Sequence, residues 1–311
     1  MKLGKPVTVV GSANMDLVVK SPRIPAIGET ILGDDFFMLP GGKGANQAVA
    51  AAKVGADVYL VAKLGEDMYG SESLNNFKTV GINTKYITRT KDAPSGVALI
   101  NIDDKGQNQI VVVPGANSKL SLADIENASP AIAQSAVVVA QLEIQLSTVQ
   151  KAAQMAKKHG AQFILNPAPA QTLPAELLAI VDILTPNETE ASLLTGINVT
   201  DVDSAGKASR KLLDCGVKAV IITMGEQGFL LTTPQQSKFV KAIKVTPVDS
   251  TAAGDAFTGS LAAALASGKS LKEAADFANY VAALSVTKVG AQASMPTLKE
   301  VEDFISSKRK Q

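Results

Sequence analysis

Six short runs of apolar, mostly β-branched residues recur along the chain, alternating with stretches that have helical spacing. The runs are VTVVG near Val7, DVYLVAKLG near Val58, AVVVAQLE near Val137, AQFILNPAP near Phe163, VDILTPNE near Ile183 and KAVIITMG near Val220. Helical patterns cover residues 45–54, 146–159, 204–215 and 271–289. Strands that are apolar throughout are typical of parallel sheets, whose crossover helices bury both faces. The pattern predicts an α/β fold: a doubly wound, mostly parallel sheet covered by helices on both faces.

Two segments, residues 16–40 and 95–113, break this alternation. The first carries the β-prone pieces ETILG and DFFML, and the second has two apolar runs around the hairpin signal Asp103-Asp104-Lys105-Gly106. Because an isolated hairpin is marginally stable, we predict that the segments pair into one small β-sheet lid. The large domain then comprises residues 1–15, 41–94 and 114–311. The apolar run from Ile110 to Val113 predicts burial of both strand faces, and hence a homodimer through the lid.

Composition and charge narrow the class of partner. The 311 residues are 46% hydrophobic and 19% charged, as in an ordinary globular protein. With 30 basic and 29 acidic residues the net charge is +1, which gives no electrostatic attraction for nucleic acid or an anionic membrane. Without a run of ~20 apolar residues or a secretory signal, we expect a cytoplasmic protein with small-molecule partners.

The chain has one cysteine and one histidine. Cys215 has no second cysteine with which to form an intramolecular disulfide, and its place in RKLLDCGVKAV predicts the buried end of a helix. His159 lies between two lysines and Gly160, which is typical of a helix C-terminus. Neither residue is expected to be catalytic.

The segment DSTAAGDAFTGSLAAAL, from Asp249 to Leu265, brings small residues and an acid to the start of an apolar helix. Backbone amides of Ala252, Ala253 and Gly254 are open to a ligand, and the positive end of the helix dipole favours an anion there. A carboxylate beside such a site, Asp255, suits a group that accepts a proton. The alternative is structural, since small residues also serve tight helix packing and an acid in the first turn complements the dipole.

Polar residues follow the apolar runs at several strand ends. Ligands of open α/β sheets bind outside the carboxyl ends of the strands, so these residues are candidates for one site. They are Asn14, Asp16, Glu143, Asn166, Asn187, Glu190 and Thr223. Each taken singly is also a common cap or turn former, which is the competing interpretation.

A second glycine cluster, GGKGANQAVAAAKVG from Gly41 to Gly55, opens another helix. Lys43 and Asn46 fall in its first turn, where they can donate to hydroxyl groups. The cluster lacks the spacing of a Walker A loop, and no G-x-G-x-x-G follows the first strand, so neither a P-loop nor a nicotinamide fold is indicated. MGEQGF, residues 224–229, predicts a tight turn between two strands.

These motifs together resemble the ribokinase family of sugar and nucleoside kinases over essentially the whole chain. The N-terminal family signature runs from Gly41 through Asn46 to Gly55 and Gly65, and the C-terminal one from Asp249 through Gly254 and Asp255. TPNETE and NPAPA also stand where the family has them. The resemblance implies the family fold and ATP-dependent phosphorylation of the primary hydroxyl of a small sugar, with D-ribose favoured by the polar set of candidate residues.

Site roles follow from the resemblance, position by position. Asp255 is the expected catalytic base, and the amides of Ala253, Gly254 and Asp255, after Ala252, are the expected anion hole. The expected sugar-binding residues are Asn14, Asp16, Gly42, Lys43, Asn46, Glu143 and Asp255. The expected ATP-binding residues are Asn187, Thr223, Gly225, Gly228, Gly254 and Asn279. Glu190 is expected to place Mg²⁺ through water, and the expected K⁺ loop comprises Asp249, Thr251, Ser285, Lys288, Gly290 and Ser294.

Departures from the family pattern are few, and substrate alternatives stay open. Ser250 stands where the family usually has threonine, and Ser260 where alanine or glycine is common. A kinase of deoxyribose, fructose or a nucleoside is the alternative, with Phe36 and Phe37 of the lid as a wall for a base. A catalytically silent nucleotide-binding protein is a third reading, which the intact base and glycine clusters disfavour.

Overall fold

The computed structural model describes residues 4–308, which form thirteen strands and eleven α-helices. In chain order the strands are β1 (Val7–Val10), β2 (Asn14–Ser21), β3 (Asp35–Gly41), β4 (Val58–Gly65), β5 (Ile87–Thr90), β6 (Gly96–Asp103), β7 (Asn108–Val113), β8 (Val137–Ala140), β9 (Gln162–Leu165), β10 (Ile183–Leu184), β11 (Ala219–Thr223), β12 (Gly228–Thr232) and β13 (Ser237–Lys241). The helices are α1 (Lys43–Lys53), α2 (Met68–Val80), α3 (Leu122–Asn127), α4 (Ser129–Gln134), α5 (Leu146–His159), α6 (Ala175–Leu178), α7 (Glu188–Thr195), α8 (Val202–Asp214), α9 (Ala253–Ala266), α10 (Leu271–Ser285) and α11 (Leu298–Lys308).

Nine strands form the larger sheet, in the order β13-β12-β11-β10-β9-β8-β1-β4-β5. All neighbours are parallel except β12, which runs antiparallel to both β11 and β13. The MGEQGF turn joins β11 to β12. Alternate residues of each strand enter separate cores. Val9 and Val139 pack with α1 and α9 on one face, and Val10 and Val138 pack with α5 and α8 on the other. The predicted fold class, with helices on both faces, is confirmed.

Four strands form a separate small sheet in the order β3-β2-β6-β7. The two interrupted segments of the sequence meet where β2 pairs in parallel with β6, and β6 and β7 form the hairpin around Gly106. We call this sheet the lid. Its division from the large domain at the predicted boundaries remains a prediction, and residues 1–3 and 309–311 of those ranges lie outside the described part of the chain.

Two details of the lid differ from the sequence predictions. ETILG, residues 29–33, forms no strand, because it belongs to the exposed connection between β2 and β3 and has no neighbouring strand to pair with. The run from Ile110 to Val113 is exposed, between 44% and 56%, rather than buried by its own chain. What covers this face, and with it the dimer, stays a prediction.

Helix ends follow their local signals, with one correction. α5 spans the predicted residues and ends at His159, before Gly160 in the left-handed conformation. Cys215 is exposed, not buried. The buried stripe of α8 passes through Leu212, but the helix ends at Asp214 and the chain turns away at Gly216 with φ 101°. Within residues 4–308 no helix is long and apolar enough to cross a bilayer.

Candidate active site

A cavity of about 770 Å³ lies at the carboxyl ends of the parallel strands, in the size range of small-molecule sites. Ala98 and Ile100 of β6, with Ile110 and Val112 of β7, form one wall, so the lid covers the cavity. The predicted residues that line it are Asn14, Asp16, Gly42, Lys43, Asn46, Glu143, Asn166, Asn187, Glu190, Thr223, Thr251, Ala252, Ala253, Gly254 and Asp255. Elements distant in sequence therefore contribute to one chamber.

The glycines before α1 are required by close packing of the chain against itself. Gly42 has φ 87°, and a Cβ there would lie 2.7 Å from the amide nitrogen of Asn14. A Cβ at Gly41 would meet the Asp16 carboxylate, 2.2 Å from Oδ2. The first helix thus approaches the start of β2 closely, and Lys43 and Asn46 line the same cavity as Asp16.

The first-turn amides of α1 are all satisfied by the protein. The Lys43 amide donates to Glu143 Oε2 at 3.0 Å, the Gly44 amide to Ser12 Oγ at 3.2 Å, and the Ala45 amide to the Ser12 carbonyl at 2.8 Å. Ser12 Oγ in turn donates to Glu143 Oε2. An acid of the chain itself therefore occupies this positive helix end.

The first turn of α9 is different, because part of it has no acceptor. Ala252 adopts the left-handed conformation, with φ 60° and ψ 18°, and the Ala253 amide donates to the Ser250 carbonyl at 3.2 Å. The amides of Gly254 and Asp255 have no acceptor among residues 4–308. Two of the three amides predicted as an anion hole are thus free to bind a ligand at the cavity.

Asp255 is 6% exposed, and two amide side chains hold its carboxylate. Asn46 Nδ2 donates to Oδ2 at 3.0 Å, and Gln47 Nε2 donates to Oδ1 at 2.9 Å. Both donors lie on α1, so the two helix starts are joined through this carboxylate. The position beside the free amides of α9 matches the geometry expected of a base next to a phosphate.

Four carboxyl side chains, those of Asp16, Glu143, Glu190 and Asp255, line the cavity together with one ammonium group, that of Lys43. Burial, reinforced by the negative charges of Glu143 and Asp255, raises the pKa of Asp16 to about 7. The charge of Asp255, more than that of Glu143 and Glu190, holds the pKa of Lys43 above its usual value despite burial. The cavity therefore has more acidic than basic side chains around Lys43. Their oxygens suit hydrogen-bond donors such as hydroxyl groups.

Asn14 is fixed by Asn117, a residue that the sequence analysis missed. Asn117 Nδ2 donates to Asn14 Oδ1 at 2.7 Å and to the Ala13 carbonyl, while its Oδ1 accepts from the Ala13 amide at 2.9 Å. A Cβ at Gly96 would lie 2.3 Å from both side chains. With Asn14 Oδ1 engaged, its NH₂ group is the part left for a ligand.

On the far side of the cavity, Asn187 and Glu190 cap α7 reciprocally. Asn187 Oδ1 accepts from the Glu190 amide at 2.8 Å, and Glu190 Oε2 accepts from the Asn187 amide at 2.9 Å. The Thr223 amide donates to the Pro186 carbonyl at 2.9 Å, which brings β11 to the same edge. Burial raises the pKa of Glu190, with the hydrogen bond from Asn187 and the charge of Lys43 opposing the rise.

Three predicted nucleotide positions do not line the cavity. Gly225 and Gly228, with φ 51° and 122°, shape the 3-10 turn between β11 and β12. Asn279 is buried on α10 and donates from Nδ2 to the Lys241 carbonyl at 2.9 Å. They extend the same sheet edge beyond Thr223, where the chain continues into the antiparallel strands.

The predicted cation loop brings two distant segments together. Asp249 Oδ1 accepts from the Thr251 amide at 2.9 Å, and Oδ2 accepts from the Gly290 amide at 2.8 Å. Burial opposes ionisation of Asp249, but these hydrogen bonds prevail and lower its pKa. The hydroxyls of Ser285 and Ser294 donate to the carbonyls of nearby residues, and Lys288 pairs with Glu300. Within residues 4–308 no cluster of three acid, histidine or cysteine side chains could hold a metal ion.

Further site residues escaped the sequence analysis. Gln47 and Gln141 contact each other behind Asp255, and Ser12 joins Glu143 to α1. Gln141 directly follows β8, so the strand-end rule that selected Glu143 could have found it. Gln47 and Asn117 sit on helices and carried no such positional signal.

The chain is similar to known proteins in sequence and in fold. The sequence profile of the pfkB family of carbohydrate kinases matches residues 5–298. The ribokinase of Haemophilus influenzae is 44% identical over 301 residues, covering 97% of this chain and 98% of that protein. The deoxyribokinase of Salmonella typhi is 39% identical over 301 residues, covering 96% and 98%. The structure of Arabidopsis thaliana ribokinase complexed with ribose and ATP matches with a TM-score of 0.91 at 35% identity, covering 97% of this chain and 99% of that one.

A mostly parallel sheet with a lid over a cavity, and a buried acid beside a free helix N-terminus, is the arrangement expected of an enzyme that phosphorylates an alcohol. The chain belongs to the pfkB family of carbohydrate kinases. It is a sugar kinase, and the family resemblance predicted from the two signatures is confirmed.

Proposed function

We propose that this enzyme transfers the γ-phosphoryl group of ATP to the primary hydroxyl of D-ribose, giving ribose 5-phosphate and ADP. One observation carries the proposal: the Asp255 carboxylate and the free amides of Gly254 and Asp255 meet in a cavity that is also lined by polar side chains able to bind hydroxyl groups, among them Asp16, Lys43 and Glu143. The names of the Haemophilus and Arabidopsis relatives, both ribokinases, support ribose as the acceptor.

The reaction follows from the placement of Asp255. Its carboxylate takes the proton of the sugar hydroxyl as the oxygen attacks the γ-phosphorus. The bond from that phosphorus to the bridging oxygen breaks, and ADP leaves with the electron pair. Phosphoryl transfer needs alignment and charge stabilisation rather than covalent help, and the amides of Gly254 and Asp255 supply fixed donors for the developing charge. Catalytic roles for Ala252 and Ala253 are limited to shaping that turn.

The sugar side of the site consists of the polar group around Lys43. Asp16 and Glu143 accept hydrogen bonds from sugar hydroxyls, and Lys43 and Asn46 donate to sugar oxygens. Gly42 lets α1 approach, and Asn14, whose oxygen is bonded to Asn117, donates through its NH₂ group. A small polyol matches such a set of paired donors and acceptors better than an apolar ligand does.

The nucleotide side extends from Gly254 along the carboxyl ends of β10 and β11. Asn187 and Thr223 lie on the cavity wall, and Gly225, Gly228 and Asn279 continue the surface beyond it. Glu190 has carboxylate oxygens at the cavity and so fits a Mg²⁺ ion held mostly by water and phosphate, as Mg²⁺ is in kinases. When bound, that ion neutralises phosphate charge.

Monovalent cation binding is proposed for the loop of Asp249. Its carboxylate joins the segments at Thr251 and Gly290, and its lowered pKa keeps it ionised. Ser285, Lys288 and Ser294 contribute through backbone geometry in the second segment, where the Lys288 ammonium is turned away to Glu300. When bound, K⁺ supplies positive charge next to the turn that leads into α9.

Three further parts of the proposal concern the lid and the cell. The lid, as a domain of residues 16–40 and 95–113, closes over the cavity and excludes water, which suppresses ATP hydrolysis. The exposed run from Ile110 to Val113 pairs two such lids in a homodimer. We also propose a cytoplasmic enzyme without nucleic-acid or membrane partners, in keeping with the net charge of +1.

A second acceptor, 2-deoxyribose, is supported by the 39% identity to the Salmonella deoxyribokinase. A nucleoside acceptor is less well supported, because Phe36 and Phe37 are 58% and 40% exposed and do not line the cavity. A silent nucleotide-binding protein would not need Asp255 held beside free amides.

A coupled assay of ADP release tests these assignments. Purified enzyme is given ribose, 2-deoxyribose, fructose and adenosine, each with Mg²⁺ and with or without K⁺. We expect the highest kcat/KM with ribose, and a higher rate when K⁺ is present. Equal or better turnover of deoxyribose would reassign the acceptor, and ATP binding without ADP release on any substrate would overturn kinase activity. An unchanged rate without K⁺ would remove the cation site.

A further inference from the structure

Three buried amide side chains, those of Gln47, Gln141 and Asn166, are linked by hydrogen bonds into a chain behind Asp255. Gln47 Nε2 donates to Asp255 Oδ1 at 2.9 Å and to Asn166 Oδ1 at 3.1 Å. Gln141 Nε2 donates to Gln47 Oε1 at 2.6 Å. Gln47 and Gln141 are both fully buried, and neither lines the cavity. These contacts join α1, α9 and the ends of β8 and β9.

The orientation of each amide in this chain is determined at its ends. Asn166 Nδ2 donates to the Thr185 carbonyl at 2.8 Å, which leaves Asn166 Oδ1 as an acceptor. Asp255, as a carboxylate, only accepts. Gln47 must therefore present its NH₂ group to both, and its oxygen to Gln141. A reversed Gln47 amide would place its oxygen against two other oxygens, so the chain stabilises one arrangement.

The fold makes room for this arrangement at a specific point. Gly11, the residue directly after β1, packs against Gln141. A Cβ at Gly11 would lie 2.0 Å from Gln141 Oε1, so only glycine leaves room for this side chain. Gln141 Oε1 itself has no hydrogen-bond partner among the described residues. A buried polar atom without a partner is costly, so the one hydrogen bond that the Gln141 side chain makes, from Nε2 to Gln47, is kept at the expense of its oxygen.

We propose that Gln47, oriented by Gln141, is a positioning residue for the base Asp255; the inference rests on the proposed function. Asn46, the other donor to Asp255, lies in the cavity and is shared with the substrate, whereas Gln47 stays with Asp255 throughout the reaction. A donor on Oδ1 fixes the plane of the carboxylate and occupies one lone pair. The proton from the sugar hydroxyl is thereby directed to a lone pair that faces the cavity.

The first test replaces Gln47 with methionine, which keeps the length of the side chain but removes the donor. For Gln47→Met we expect kcat to fall roughly 10- to 100-fold, with little change in KM for sugar or ATP. The loss should fall on kcat and not on KM, because the Asp255 carboxylate is left free to turn while the residues that bind sugar and ATP stay in place. Ser135→Ala, which removes a buried hydrogen bond to Thr8 away from the cavity, is the control and should change neither quantity.

The second test, Gln141→Glu, reverses the direction of the hydrogen bond between residue 141 and Gln47. We call the pair of hydrogen bonds from Gln141 to Gln47 and from Gln47 to Asp255 the relay. While the introduced carboxyl is protonated it can donate to Gln47 Oε1, and we expect near wild-type kcat. Once ionised it can only accept, so it turns the Gln47 amide and faces its oxygen toward Asp255. The expected result is a new loss of kcat as pH rises, which a purely structural role would not produce.

The outcomes separate the two levels of inference. Wild-type enzyme that phosphorylates no sugar contradicts the proposed function itself. Active wild-type enzyme, with kcat unchanged in Gln47→Met, overturns the positioning role. If Gln47→Met does not fold, Gln141→Glu decides: a pH profile identical to wild type rejects the relay, and a new basic limb supports it.

Discussion

Two helices, α1 and α9, begin at the same cavity but use their N-termini differently. At α1 the amides of Lys43, Gly44 and Ala45 are satisfied by Glu143 and Ser12. At α9 the amides of Gly254 and Asp255 have no acceptor within residues 4–308. Both helix ends carry the same partial positive charge. The start of α1 is therefore closed and can serve only to place side chains, whereas the start of α9 is open and can bind an anion directly.

The comparison explains how the site separates its two substrates. The closed start presents Lys43 and Asn46 in the same cavity as the carboxyl groups of Asp16 and Glu143, and together these groups suit sugar hydroxyls. The open start, with Asp255 in its first turn, suits a phosphate next to a base. Hydrogen bonds from Asn46 and Gln47 to Asp255 tie the two starts together, so sugar and phosphate are brought to one carboxylate.

The greatest change in turnover is expected when the charge of Asp255 at the open start is removed. Asp255→Asn should lower kcat on the order of 10²- to 10⁴-fold, because the general base is lost while the amides remain. ATP affinity, measured by titration, should be nearly unchanged. Turnover close to wild type would falsify the assignment of the base.

A second prediction concerns Asp16, which lines the cavity and is affected by the charges of Glu143 at one helix start and Asp255 at the other. Its pKa is raised to about 7 in the folded protein, from an ordinary 3.8. Between these values the unfolded chain releases the proton while the folded protein keeps it, so stability falls as pH rises, by up to ~1.4 kcal/mol for each pH unit. Above pH 7 the full penalty remains.

Asp16→Asn removes this titration. Without substrate, the variant should be more stable than wild type by a few kcal/mol at pH 8, with the difference shrinking toward pH 4. Thermal unfolding at several pH values measures it. We expect weaker sugar binding from the same variant, since it loses a charged acceptor. A stability difference that does not depend on pH would contradict the raised pKa.

The closed start is tested by Glu143→Gln, which keeps an oxygen for Ser12 and Lys43 but removes the charge. We expect KM for sugar to rise roughly 10- to 100-fold, since hydrogen bonds to charged groups are worth about 1.5–3 kcal/mol. Because the charge of Glu143 also raises the pKa of Asp16, that pKa should fall in the variant. Steady-state kinetics distinguishes this variant from Asp255→Asn, because here KM for sugar rises whereas there kcat falls; KM for ATP is the internal control and should not change. A loss confined to kcat would place Glu143 in the chemistry instead.

The smallest expected effect sharpens the contrast in backbone geometry. Ala252→Gly should raise the free energy of unfolding by up to about 1 kcal/mol, because the strain of a Cβ at φ 60° exceeds the added entropy of the unfolded chain. Turnover should be unchanged. Gly42→Ala is the matched opposite, since its Cβ would meet the Asn14 amide nitrogen at 2.7 Å, and denaturant unfolding should show a loss of stability. Equal responses at both positions would contradict the distinction.

Much of the fold and the cavity followed from local signals. Apolar runs marked the buried parallel strands, and polar residues directly after them, such as Glu143 and Thr223, lie on the cavity wall. The pairing of residues 16–40 with 95–113 was also accessible, because neither segment is stable alone. Two predictions were wrong: that Cys215 is buried, and that residues 29–33 form a strand. Exposure and strand pairing depend on where neighbouring elements end.

The sequence by itself determined which residue types stand at helix starts and strand ends, because capping, glycine geometry and periodicity act over a few residues. The assembled fold was needed to set Glu143 against the start of α1 and to leave the start of α9 without an acceptor. It was also needed to place Gln47 and Gln141 behind Asp255. These hydrogen bonds join residues about a hundred or two hundred positions apart, as between Gln47 and Asp255. Side chains so distant in the chain are brought within 3 Å only when the whole sheet and its covering helices have assembled.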